Sequence, residues 1–168
     1  SRIRLVYFGR VVPEKNVDVV IKTASILRKS GLNVALDIIG GYHEHYKQEL
    51  DTICLNEGIN DIVTFYGRKP FPFIAEILWQ SHYYIFPSAE ANEGHSNSLT
   101  EAMGCGVVPI VSSAGFNASI CGNSELAEAC LKLSGEIDEG IQKYCVVEHE
   151  KYGKIYACET DGMGHYSM

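Results

Sequence analysis

Two spacings of apolar residues alternate along this chain. Short apolar runs, each closed by glycine or proline, alternate with longer stretches whose apolar positions recur every three to four residues. IRLVYF at 3–8 is the first run and stops at Gly9. Val17, Val20, Ile21, Ala24 and Leu27 then recur at helical spacing, which predicts a helix over 17–29. VALDII at 34–39 predicts a second strand ending in Gly40 and Gly41, followed by a more polar, solvent-facing helix over 44–56. IVTFY at 62–66 predicts a third strand ending at Gly67, and a helix over 72–80 has Pro72 in its first turn. YYIF at 83–86 is a fourth strand closed by Pro87 and Ser88; a short helix over 98–105 and a fifth strand over 107–111 follow. A last helix is expected over 135–150, and a frayed end over 160–168. Strand alternating with helix predicts an α/β fold: a parallel sheet with helices on both faces and right-handed crossovers. The sequence shows no internal repeat and no low-complexity linker.

Composition narrows the class. A chain of 168 residues with 46% hydrophobic and 21% charged residues is an ordinary soluble domain. A net charge of -7 argues against a general nucleic-acid binder, though not against a local cationic pocket. No apolar run reaches a membrane span, and the start SRIRLVYFG is no signal peptide. Six scattered cysteines without a C-x-x-C pair read as reduced thiols of a cytosolic protein.

In such sheets ligands bind outside the carboxyl ends of the strands. Three of those ends carry chemistry: FGRVVPEKN after strand one, YGRKP after strand three, and PSAEANEGHSNSLTE after strand four. Arg10 and Lys15 flank a proline-bearing loop, and both cation types suit phosphate; the plainer reading is two solvated surface charges. In the third segment, Ser98-x-x-Glu101 reads as a capping box, so Glu101 has a plain structural role as well. The same geometry aims free N–H groups and a positive dipole end at the rim. Gly94, Ser96 and Ser98 are small enough for a ligand to approach the backbone, and Glu93 would point into the same crevice, its carboxylate suited to sugar hydroxyls.

These residues resemble the C-terminal, donor-binding domain of the retaining GT-B glycosyltransferases of family GT4. That family has a G-R-x4-K loop, here Gly9 and Arg10 to Lys15, and an E-x7-E motif, here Glu93 to Glu101, continuing as E-A-M-x-x-G into an apolar strand. The resemblance covers about residues 2–115. It implies a Rossmann-like domain over 1–134 that forms one half of a GT-B fold, with 135–168 a C-terminal helix and tail. It implies sugar transfer from a UDP- or GDP-sugar donor to a glycan, lipid or other acceptor, as in polysaccharide biosynthesis, with no cofactor and no metal. By that likeness Arg10 and Lys15 bind the donor diphosphate, Glu93 the sugar hydroxyls and Glu101 the ribose. Gly9, Gly94, Ser96, Asn97, Ser98 and Leu99 bring backbone to the phosphates or sugar. His95 is a further contact candidate, and the loop from Gly67 through Arg68 to Lys69 lines the base pocket. Glu93, Arg10 and Lys15 are the catalytic candidates. The family also implies a partner, an N-terminal acceptor domain; this chain opens directly on a strand and is expected to be an excised or stand-alone half, inactive by itself. The full-length enzyme is expected in the cytoplasm, with peripheral membrane association left open.

There are departures. Asn16 replaces the glycine usual after the lysine, and Ala114-Gly115-Phe116-Asn117-Ala118 replaces the usual G-G-x-P-E turn. His43 and His45 read as solvated rather than as metal ligands, and Trp79 as core or a domain-facing patch. The alternative to an enzyme is a non-catalytic module that binds nucleotide or a protein through the same sheet.

Overall fold

A computed structural model describes residues 2–89, 94, 96–112, 114–121, 145–149 and 153–157. Five strands form a parallel sheet: β1 (Ile3–Phe8), β2 (Val34–Ile39), β3 (Val63–Gly67), β4 (Tyr83–Phe86) and β5 (Val108–Val111). The helices are α1 (Val17–Lys29), α2 (Glu44–Glu57), α3 (Phe71–Leu78), α4 (Asn97–Gly104) and the single turn α5 (Asn117–Ile120). The predicted bounds of β1, α1, β2 and β4 hold to the residue; those of α2, β3, α3, α4 and β5 shift by one or two residues at one or both ends.

Consecutive burial explains the apolar runs. Leu5, Val6 and Tyr7 are all buried, as are Leu36, Ile38 and Ile39, so these strands are covered on both faces. The exception inside β2 is Asp37, which is 5% exposed. Arg4 reaches it at 3.3 Å and the Tyr66 hydroxyl donates to it at 3.0 Å, so the buried carboxylate keeps hydrogen-bond partners. Burial, then the Asp37 charge, push the Tyr66 phenol up from its ordinary value.

The end of the chain departs from expectation. Cys145–His149, expected as the close of a helix, is strand β6, and β7 (Gly153–Ala157) pairs with it antiparallel. β7 also pairs antiparallel with β5, giving the order β3-β2-β1-β4-β5-β7-β6. The open edge of β5 favours a strand over a helix here, because its backbone groups need partners. Residues 135–144 and the tail 160–168 lie outside the described residues. Among those described, no helix is long and apolar enough to cross a membrane.

Candidate functional site

The chain steps from β1 to β2 to β3, then returns to the other side of β1 to lay down β4 and β5. The step reverses between β1 and β4, the point at which open parallel sheets place a ligand crevice outside the carboxyl ends. β1 and β4 pair only at Leu5 with Tyr83 and Val6 with Tyr84, so the two strands diverge from that point.

The loops around this crevice are tied down. Gly9 N–H donates to Ile39 O at 3.0 Å, Val11 N–H to Gly41 O at 3.0 Å, and Gly40 N–H to Gly67 O at 2.9 Å, carrying the ladder past the strand ends. Gly40 has φ +154°, and a Cβ there would stand 1.6 Å from Gly9 O; only glycine lets β1 and β2 leave the sheet so close together. Pro13–Lys15 form a 3-10 turn, and Asn16, in the left-handed region at φ 51°, caps α1. Its side-chain amide donates to Pro87 O at 2.8 Å, and Ala89 N–H donates to Glu14 O at 3.2 Å. The loop after β1 is thereby pinned to the segment after β4. The Tyr7 hydroxyl holds Arg10 O at 2.5 Å from below.

Beside the crevice lies a cleft of about 450 Å3 over the ends of β1, β2 and β3. Gly9 and Arg10 line it from β1, Gly40, Gly41, Tyr42 and His43 from β2, and Arg68 and Lys69 from β3. Among the described residues, three cations and no carboxylate line it, so it suits an anion.

Of the residues singled out in the sequence as ligand contacts, Gly9, Arg10, Arg68 and Lys69 come together in this cleft. Lys15 does not line it. It is 5% exposed, with its ammonium 5.5 Å from the centre of the ring of Phe86, the last residue of β4. Gly94, Asn97 and Glu101 are exposed and Ser98 is half-buried. Glu93 and His95 lie outside the described residues.

The capping box expected at Ser98 and Glu101 does not form. Ser96 is the N-cap: its hydroxyl accepts from Leu99 N–H at 3.3 Å and its carbonyl from Thr100 N–H at 3.1 Å. Glu101 falls one turn further on, exposed, its carboxylate available to a ligand. The Leu99 N–H is taken by that cap and the Leu99 side chain is core, so neither serves a ligand as first read. Burial, then the Glu101 charge, push the Cys105 thiol up, which makes it a packing residue rather than a nucleophile.

The sequence reading overlooked the end of β2. Gly40-Gly41-Tyr42-His43 carries no charge to draw attention, though two glycines at a strand end followed by an aromatic are a signal of close approach. His43 is the N-cap residue of α2, and His45 pairs with Glu49 at 3.2 Å one turn along. Among the described residues no cluster of metal-ligating side chains occurs. Trp79 is exposed at the end of α3 rather than core.

The five parallel strands flanked by helices are Rossmann-like and match GT-B glycosyltransferase structures. The model of the family "Glycosyl transferases group 1" matches residues 1–143, and the chain belongs to that family. The pneumococcal O-GlcNAc transferase GtfA, solved with UDP and GlcNAc, is 24% identical with a TM-score of 0.61, over 70% of this chain and 22% of that one. Anabaena Alr3699/HepE, solved with UDP and glucose, is 16% identical with a TM-score of 0.62, over 80% and 40%. Sucrose-phosphate synthase from Thermosynechococcus elongatus is 20% identical with a TM-score of 0.60, over 68% and 28%. This chain thus spans well under half the length of those proteins. Over 43 residues it is also 40% identical to the meiotically up-regulated gene 157 protein of Schizosaccharomyces pombe, a stretch that is 26% of this chain and only 8% of that protein.

Proposed function

We propose that this chain is the C-terminal, donor-binding half of a retaining, GT4-type glycosyltransferase, a cytoplasmic enzyme that moves a sugar from a nucleoside-diphosphate sugar to an acceptor. The observation that carries the reading is the cationic cleft: Arg10, Arg68 and Lys69 line it over the strand ends beside the topological switch point, with no carboxylate among the described lining residues. The family and the nucleotide and sugar bound to two of its structural relatives support the same assignment.

In this reading Arg10 and Lys15 hold the diphosphate from its two sides. Arg10 reaches it from the open cleft and Lys15 from the crevice, where the pinned 3-10 turn fixes its direction in advance. Arg68 and Lys69 line the base end. Glu101, free of any cap, takes the ribose hydroxyls, and Glu93 the donor sugar. Catalysis then comes from fixed positive charge stabilising the departing diphosphate, a contribution made before the reaction begins. No divalent metal is needed for that role.

A lone half stabilises the leaving group but does not place the attacking hydroxyl, and positioning accounts for about 7–11 kcal/mol of such a barrier. The chain by itself is therefore expected to bind UDP- or GDP-sugars without transferring the sugar. Isothermal titration with both nucleotide series, with and without chelator, tests the site. Absence of binding refutes it, and metal-dependent binding refutes the metal-free version.

A further inference from the structure

A directed chain of hydroxyls ties the start of α4 to the end of β1. The Phe8 carbonyl only accepts, so the Tyr84 hydroxyl donates to it at 2.9 Å. A phenol has one proton, so at its 2.9 Å contact with Ser98 Oγ the tyrosine accepts and the serine donates. Ser98 has then committed its own proton, so across their 3.1 Å contact Ser96 donates to Ser98. Ser96 in turn accepts from Leu99 N–H at 3.3 Å. Read in this way the bonds run from the Leu99 amide through Ser96, Ser98 and Tyr84 to the Phe8 carbonyl. Bonds aligned in one direction polarise and strengthen one another.

The direction decides what the two serines offer a ligand. With both protons committed inward, their remaining capacity is lone pairs. A phosphate oxygen gains nothing from them; the hydroxyl of a sugar or ribose does. Ser98 is half-buried, and a Cβ placed on Gly9 would stand 3.8 Å from its oxygen, which locates that oxygen at the junction of the loop after β1 and the start of α4. Tyr84 itself is fully buried.

We propose that Tyr84 is a positioning residue: it orients the Ser98 hydroxyl inward, making Ser98 an acceptor for a hydroxyl of the ligand, and fixes α4 against the end of β1. The proposal rests on the donor-binding reading above. It assigns the α4 edge to the polyol part of a nucleoside-diphosphate sugar, leaving the diphosphate to Arg10 and Lys15.

Titration calorimetry of the full chain with UDP, UDP-glucose, GDP and GDP-mannose tests it on wild type, Tyr84→Phe, Ser98→Ala and the double variant. Each single variant is expected to weaken binding about 2- to 10-fold, the range of one neutral hydrogen bond. The double variant is expected to be little weaker than either single one, because both break the same chain. A loss on nucleotide and nucleotide sugar alike places the accepted hydroxyl on the ribose; a loss on the sugar conjugates alone places it on the donor sugar. Ser25→Ala is the control, since it breaks a buried hydroxyl bond to Glu57 between α1 and α2. It is expected to lower Tm and leave affinity unchanged. Affinity within twofold of wild type in Tyr84→Phe and Ser98→Ala, or losses that simply multiply in the double variant, overturns the proposal. Should Tyr84→Phe not fold, Ser98→Ala carries the same criterion alone. A wild-type chain that binds none of the four ligands overturns the donor reading, and this proposal with it.

Discussion

Ser96→Ala and Glu101→Gln separate two accounts of the α4 start by the sign of their effects. In the structure the cap belongs to Ser96, which is 6% exposed and accepts Leu99 N–H. Removing its hydroxyl loses an N-cap, about 0.5–2 kcal/mol. It also loses the bond to Ser98, about 0.5–1.5 kcal/mol. The two effects share one oxygen and do not add fully, so the expected loss is about 1–3 kcal/mol, or roughly 3–10 °C in Tm for a chain of this size. Glu101 lies on the exposed surface beyond the first turn, so Glu101→Gln is expected to change stability by less than about 0.5 kcal/mol. Its effect is expected in ligand binding instead, because a neutral amide accepts ribose hydroxyls less strongly than a carboxylate. Urea denaturation followed by circular dichroism reads the stabilities, and calorimetry with UDP and GDP reads the affinities. The opposite pattern, a neutral Ser96→Ala and a destabilised Glu101→Gln, would refute the Ser96 cap and restore the box between Ser98 and Glu101.

Arg10→Ala is expected to weaken nucleotide binding roughly 10- to 100-fold by losing one charge-assisted contact of about 1.5–3 kcal/mol, and Lys15→Ala likewise; unchanged affinity in both removes the diphosphate site. Glu93→Gln is expected to spare free nucleotide and weaken only the nucleotide sugar, so equal losses on both ligands, read by calorimetry, contradict the division between sugar and ribose. The Lys29 ammonium, then the Ser25 hydroxyl, hold the Glu57 carboxyl below its ordinary value of 4.5. The stability from that depression is therefore fully present above pH 4.5 and is lost as pH falls through the folded value; the Tm gap between wild type and Glu57→Gln should close over that acid range, and a constant gap counts against the linkage. Burial pushes the Cys54 thiol up to about 11, so it should resist a disulfide reagent at pH 8 until denaturant is added; rapid labelling of the native chain at Cys54, located by peptide mapping, refutes its burial.

The five parallel strands and the helices between the first four were legible because their cause is local. A strand covered on both faces must be apolar at every position, and α1 must place its apolar residues at Val17, Val20, Ile21 and Ala24 to meet that sheet. Gly9, Arg10 and Arg68 were legible for a related reason: parallel strands deliver their carboxyl ends to one rim, whatever the details of the loops.

What sequence left open depended on neighbours distant along the chain. Ser96 and Ser98 are both plausible caps, and the glutamate three residues after Ser98 favoured the wrong one; the helix already begins at Asn97, which leaves Ser98 inside it with its hydroxyl against Tyr84, fourteen residues earlier. Lys15 reads as a surface cation, yet Asn16 bonding to Pro87 O and Ala89 to Glu14 O fold its turn inward over Phe86. Residues 145–149 form a strand because β7 lies against the open edge of β5 and offers them a ladder, a partner that no window of sequence contains. The cleft at the end of β2 needs the closeness of Gly40 to Gly9 O, a contact set by the pairing of two strands. Periodicity thus determined which segments are covered and on which faces. The tertiary structure decided which hydroxyl caps, which cation is buried and where the rim opens, because each of those is a competition among partners that only the assembled sheet brings together.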